Sequence, residues 1–264
     1  MGVNAPMILC RTLCLAVAAA VTASAPSNAQ SDTIGRTVLQ RMHDAYAGKW
    51  YKSLTFVQRT TTFDSARTPK YETWYETVAD HDGRVVLRID RGAPSEGNGV
   101  LYTADSLWSL RGGKLAAARP TGNPFLPLIQ GVYVQPVDKT VRELKQTGVD
   151  LSKGYKTKYE GAGVTVIGAA SAADSTSPQI WIDDARNVLL RMMLSFSPNR
   201  PPTDVHLGGY ERVGQGWLAT KVSMYANGVP NQIEEYSNWK IDQPLSGQLF
   251  DVATWTTAPH WAKP

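Results

Sequence analysis

Cysteine is almost absent from the 264-residue chain, and the two that occur, Cys10 and Cys14, fall in an apolar stretch near the start. Past that stretch the chain can form no disulfide and carries no thiol nucleophile or thiolate metal ligand. Histidine is also scarce: His43, His81, His206 and His260 are scattered, with no H-E-x-x-H or paired-ligand spacing, so no metal or other cofactor is expected. There is no G-x-S-x-G elbow, no phosphate-binding glycine loop and no G-x-G-x-x-G. After the first thirty residues no apolar run approaches the roughly 20 residues that cross a bilayer. No basic block with interleaved aromatics occurs, and the net charge of +4 is spread out, which argues against nucleic acid as a partner.

Carboxylates are present but poorly spaced for acid–base work. Glu72 and Glu76 share a strand face yet stand about 13 Å apart, beyond the roughly 9.5 Å of a glycosidase pair. Glu234 and Glu235 are adjacent and point to opposite faces, and Asp183 and Asp184 read as turn residues. The chain therefore reads as a non-enzyme.

What is present begins with an export signal. Arg11, the apolar run 12–23 and the small residues after it form a secretory signal peptide over residues 1–29. Ala23-Ser24-Ala25 and Ser27-Asn28-Ala29 both offer cleavage points, and Pro26 disfavours the first, so the mature chain is expected to start near Gln30. Residues 30–264 then form a single domain of the periplasm, large enough for its own core.

An amphipathic helix is expected over 32–47, carrying Ile34, Val38, Met42 and Tyr46, with Asp32 or Thr33 at its start and Gly48 at its end. The period then drops to two, and about ten strands follow in two groups, split by helical segments at 123–133 and 137–147. This predicts an α+β fold built on a large, curved antiparallel sheet. In NVLLRMMLSF, Val188, Leu190, Met192, Leu194 and Phe196 are expected on one face and Leu189 and Met193 on the other. A strand apolar on both sides needs cover on both sides. The apolar, proline-punctuated TGNPFLPLIQGVYVQP (121–136) is a candidate lid for the concave face, with Phe125, Leu126, Leu128 and Ile129 directed inward. Trp74, Trp108 and Met192 lie in strands, where aromatics and methionine either fill a core or line an adaptable apolar cavity.

The order of these features resembles the LolA-like periplasmic carriers that sort lipoproteins to the outer membrane. The residues that carry the likeness are Phe56-Val57-Gln58, Arg88-Ile89-Asp90, VLYTADSLWSL, NPFLPLIQG and the closing Leu249-Phe250-Asp251. The resemblance implies an incomplete, strongly curved antiparallel β-barrel whose helices close a hydrophobic cavity for lipoprotein acyl chains or another lipidic ligand. It also implies a monomer that meets membrane-bound donor and acceptor proteins. A sensor or protein-interaction module on the same fold is the alternative. Ligand contacts are expected from Phe56, Trp74, Leu87, Trp108, Phe125, Leu126, Leu128, Ile129 and Met192. By the same likeness Arg88 would tether the closed lid, although the alternation of Val85, Leu87 and Ile89 with Arg84, Val86 and Arg88 leaves the facing of Arg88 open.

Overall fold

The computed structural model describes residues 33–195 and 202–262. The expected signal peptide, the Asp32 cap and Phe196 lie outside the described residues. Helix α1 (Thr33–Tyr46) buries Val38, Leu39, Met42 and Tyr46. It stops at Gly48, whose φ of +70° is the left-handed turn that glycine adopts without strain.

About ten strands were expected; fifteen form among the described residues. In chain order they are β1 (Ser53–Phe63), β2 (Pro69–His81), β3 (Arg84–Arg91), β4 (Gly99–Tyr102), β5 (Leu107–Arg111) and β6 (Lys114–Arg119). After the helices come β7 (Gly154–Tyr159), β8 (Ala162–Ile167), β9 (Gln179–Asp183), β10 (Leu189–Leu194) and β11 (Thr203–Gly208). Next are β12 (Glu211–Val213) and β13 (Gly216–Leu218), and the chain closes with β14 (Lys221–Ala226) and β15 (Val229–Ile241). Thirteen make one antiparallel sheet in the order β6-β5-β4-β3-β2-β1-β15-β14-β11-β10-β9-β8-β7, and β12-β13 pair as a separate hairpin. The two expected groups of strands thus meet through the β1–β15 pair. The sheet is an open, curved antiparallel half-barrel with helices, an α+β fold.

Local chemistry explains the register. Two-residue turns with both φ positive join β2 to β3 at Asp82-Gly83, β7 to β8 at Glu160-Gly161 and β14 to β15 at Asn227-Gly228, the geometry that matches strand twist. The facing expected along residues 188–196 is corrected by a register shift between Leu189 and Arg191. The shift places Leu189, Met192 and Leu194 in the main core, while Val188 and Leu190 join a second cluster with Val164 and Val166. An extra residue in a strand reverses the alternation beyond it, and simple period-two counting cannot see this.

One main core fills the space between the sheet and its helices. After Asn123 the chain winds as a wide π-type coil over Pro127–Gly131 and runs on into α2 (Val132–Val134) and α3 (Val137–Gln146). Val137, Val141 and Leu144 of α3 are buried, and Arg36 of α1 pairs with Asp138 at its start. The hairpin β12-β13 adds Tyr210, Trp217 and Leu218 to the same core.

The opposite face of β3–β5 has its own cover. Leu101, Leu110 and Trp255 form a small cluster there, with Trp108, Phe250 and Val252 packed against it. Gly99 makes the close approach possible, because a Cβ there would stand 2.2 Å from the Ile89 carbonyl oxygen and 2.7 Å from the Trp255 ring.

Candidate functional site

Side chains alternate across a strand, so each strand offers every second residue to the concave face. From β1 these are Leu54, Phe56 and Gln58; from β2, Trp74, Glu76 and Val78; from β3, Leu87, Ile89 and Arg91. On the far side Val222 and Met224 of β14 and Gln232, Glu234 and Tyr236 of β15 face the same space. Together with the 121–133 segment and the 210–219 hairpin they enclose a cavity of about 450 Å³, inside the range of small-molecule sites, about 300–1,000 Å³.

Six of the expected contact residues meet there: Phe56, Trp74, Leu87, Phe125, Leu128 and Ile129. Leu126 and Met192 do not line it. Both are fully buried in the core beside it. Trp108 is on the other face of the sheet with Leu101 and Trp255. A hairpin partner, Leu101, fixes that facing.

Arg88 also takes the other face, so the tether expected of it is corrected. Leu87 and Ile89 point into the cavity, and Arg88 between them must point away. Its Nε and Nη2 grip Asp90 at 2.7 and 2.8 Å. Its Nη1 donates to the Leu249 carbonyl at 3.0 Å and Nη2 also to the Trp255 carbonyl at 2.9 Å. The guanidinium lies 3.9 Å from the centre of the Trp255 ring, and His260 Nε2 stands 3.2 Å from Asp90. All of these partners belong to β3 or to the C-terminal segment.

The lid segment is held by residues that sequence patterns did not single out. The buried amide of Gln130 accepts from Trp50 Nε1 at 2.8 Å and donates to the Tyr51 carbonyl at 2.8 Å. Tyr133 stacks on Trp50 with centroids 3.8 Å apart, and its hydroxyl donates to the Asn187 carbonyl at 3.0 Å. His43 Nδ1 lies 2.9 Å from the Val132 carbonyl. The only sequence signal for any of this was a polar glutamine inside an apolar run. The other half of the segment is looser, with Asn123, Pro124, Phe125 and Ile129 only half-buried.

The wall is mostly apolar, and its charged residues gather at one place. Glu76 and Glu234, dismissed as isolated carboxylates, come from strands two apart and both face the cavity. Burial, and then the Glu234 charge, holds the Glu76 carboxyl well above the usual range, against the pull of Arg91. Burial also raises Glu234, opposed by hydrogen bonds from Tyr236, Gln232 and Gln58. Gln232 Nε2 donates to Glu234 at 2.5 Å, and the Tyr236 hydroxyl donates to its other oxygen. Pairing in a curved sheet, invisible to spacing along one strand, brings them to one wall.

An open half-barrel whose concave face is walled by a helical lid is a recognisable arrangement. Solved structures share it. A LolA superfamily protein from Nitrosomonas europaea aligns with a TM-score of 0.51 at 9% identity, over 83% of this chain and 97% of that one. The fold is the LolA type. A putative outer membrane lipoprotein-sorting protein domain from Vibrio parahaemolyticus gives 0.50 at 10% identity, over 85% and 99%. A DUF1329 family protein from Desulfovibrio piger gives 0.54 at 13%, over 84% and 97%. At these identities the likeness is one of fold. No protein-family model matches the chain, and no curated protein matches it by sequence. Among the described residues no helix of this LolA-type fold is long and apolar enough to cross a membrane.

Proposed function

We propose that the protein is a non-enzymatic carrier that takes a lipidic ligand, such as a lipoprotein acyl chain, into the cavity of its LolA-type fold. The observation that carries the reading is the cavity of about 450 Å³ walled by apolar side chains of β1, β2, β3 and the lid. Phe56, Trp74, Leu87, Phe125, Leu128 and Ile129 would contact the chain. Burying about ten methylenes is worth about 8 kcal/mol before association costs, so net binding is weaker than the micromolar affinity that this figure alone would give. That strength suits a carrier, which has to let go. The half-buried Phe125 and Ile129 mark the entrance, and the lid would swing about the anchored 130–133 end.

The export signal read from residues 1–29 puts the carrier in the periplasm, working as a monomer between membrane-bound donor and acceptor proteins and delivering toward the outer membrane. Native mass spectrometry of protein purified from the periplasm should find co-purifying acylated material. Phe125→Asp/Ile129→Asp should keep a cooperative melt and lose binding of a fluorescent acyl probe, because both side chains can turn to water. Leu126→Asp should instead unfold the protein, since a charge at that fully buried position has no escape. Undiminished probe binding by the double variant would reject the carrier reading.

A further inference from the structure

The polar patch of the cavity wall deepens this reading, on which it rests, by specifying the ligand's head group. Gln58 stands between the two carboxylates: on β1 it pairs across to Tyr236 of β15 on one side and to Trp74 of β2 on the other. Its Nε2 donates to Thr60 Oγ1 at 2.7 Å, while its Oε1 is buried with no partner. Glu76 is 6% exposed, and no hydrogen bond or ion pair reaches it within the described residues. Its neighbour across β3 is Ile89, and across β1 it is Phe56. The one cation on this wall among the described residues, Arg91, is exposed and lies over the Trp74 ring at 4.7 Å.

Buried polar groups in folded proteins are nearly always partnered. Gln58 Oε1 is buried without a donor, and the Glu76 carboxyl, with no protein donor among the described residues, opens on the cavity. Trp239 Nε1 is an unpartnered buried donor on the same lining, packed against Phe56 and Tyr236. Two carboxylates facing one guanidinium at the rim leave the wall an excess of negative charge when ionised. What completes it is a group that brings donors and a positive charge together. We propose that the Glu76–Gln58–Glu234 wall receives the ammonium group of a cationic amphiphile whose apolar chain fills the rest of the cavity. An ammonium offers three donors, a hydroxyl one and a carboxylate none. The raised carboxyls fit this use: with no ligand the cavity favours their neutral form, and an ammonium restores the ionised one.

The test is a calorimetric comparison of decylamine, decanol and decanoate at neutral pH on the full mature protein. Decylamine should bind about tenfold tighter than decanol, the usual worth of a hydrogen bond to a charged group, and decanoate should be weakest. Glu76→Gln keeps the shape and removes the charge, and it should bring the amine-to-alcohol ratio close to one; Glu234→Gln should lower it less, because Glu234 already has protein donors. Decanol or decanoate binding as well as decylamine would overturn the head-group assignment and leave the carrier reading standing. A ratio unchanged in Glu76→Gln would overturn it as well. Failure of all three ligands to bind would take both down. The ranking on the unaltered protein decides the question even if a variant folds poorly.

Discussion

Arg88 is fully buried and yet fully engaged, with every guanidinium nitrogen bonded. Removing one partner of such a pair costs about 3–5 kcal/mol, because the other charge is left buried. Arg88→Met should therefore lower the melting temperature sharply and free the C-terminal segment, seen as early chymotryptic cleavage near Phe250, Trp255 or Trp261. Arg88→Met/Asp90→Leu should recover part of the loss, since removing both charges leaves no orphan. A lid tether would give the reverse pattern, altered ligand transfer with little change in stability. Arg88 was singled out in the sequence only as a lid tether, by resemblance. Its facing was not legible there, because a strand in which Val85 to Ile89 are all buried carries no period-two signal.

At the scale of elements, the lid is a stiff piece pinned at one end. Gln130 supplies the pin, and Gln130→Leu would leave Trp50 Nε1 and the Tyr51 carbonyl without partners at about 1–3 kcal/mol each. Hydrogen exchange should then quicken over 127–134 while β1 and β2 stay protected; uniform protection would mean that the aromatic stack on Trp50 holds the segment unaided. Helices α1 and α3 were legible to within a residue or two, because their apolar stripes and stop signals agree. The lid was legible as an apolar block, but its π-type winding was not, nor was the division between lining and core residues. Leu126 and Leu128 are alike in sequence, and only the turn of the coil sends one into the packing and the other to the cavity.

Over the whole molecule, buried carboxylates give stability a distinctive pH dependence. The folded pKa of Glu76 is raised above the ordinary 4.5, so above that pH the unfolded chain releases a proton that the folded protein still holds. Stability from this group is greatest in acid and falls as pH rises through the folded value. Asp204 works oppositely: burial raises it, but bonds from His206 and Arg191 outweigh this and bring it to about 2, so its contribution is lost only as pH falls below 3.8. The melting temperature should thus decline as pH rises above the ordinary carboxyl value of 4.5, and Glu76→Gln should flatten the decline and raise the melting point at the alkaline end. An unaltered slope would show that Glu76 titrates normally. Sheet membership could be read from turn chemistry and alternation. The meeting of β1 with β15 could not, since it joins segments some 180 residues apart and nothing local announces it. The cavity's polar wall depends on that junction, and it was missed for the same reason.

The sheet ends at β6 and β7, two strands that never meet. A closed ring of strands has a circumference set by strand number and stagger, and enlarging it means breaking a whole seam of bonds. An arc has no such limit. Its rims can flex apart by small changes in twist, with every ladder bond kept, so the bore can change its width. The free rims are also where another chain could add itself. Lys114 and Arg119 on one and Lys156 and Lys158 on the other supply the charge that discourages it. Like a clasp left unfastened, the molecule gains give across its width and keeps its edges to itself.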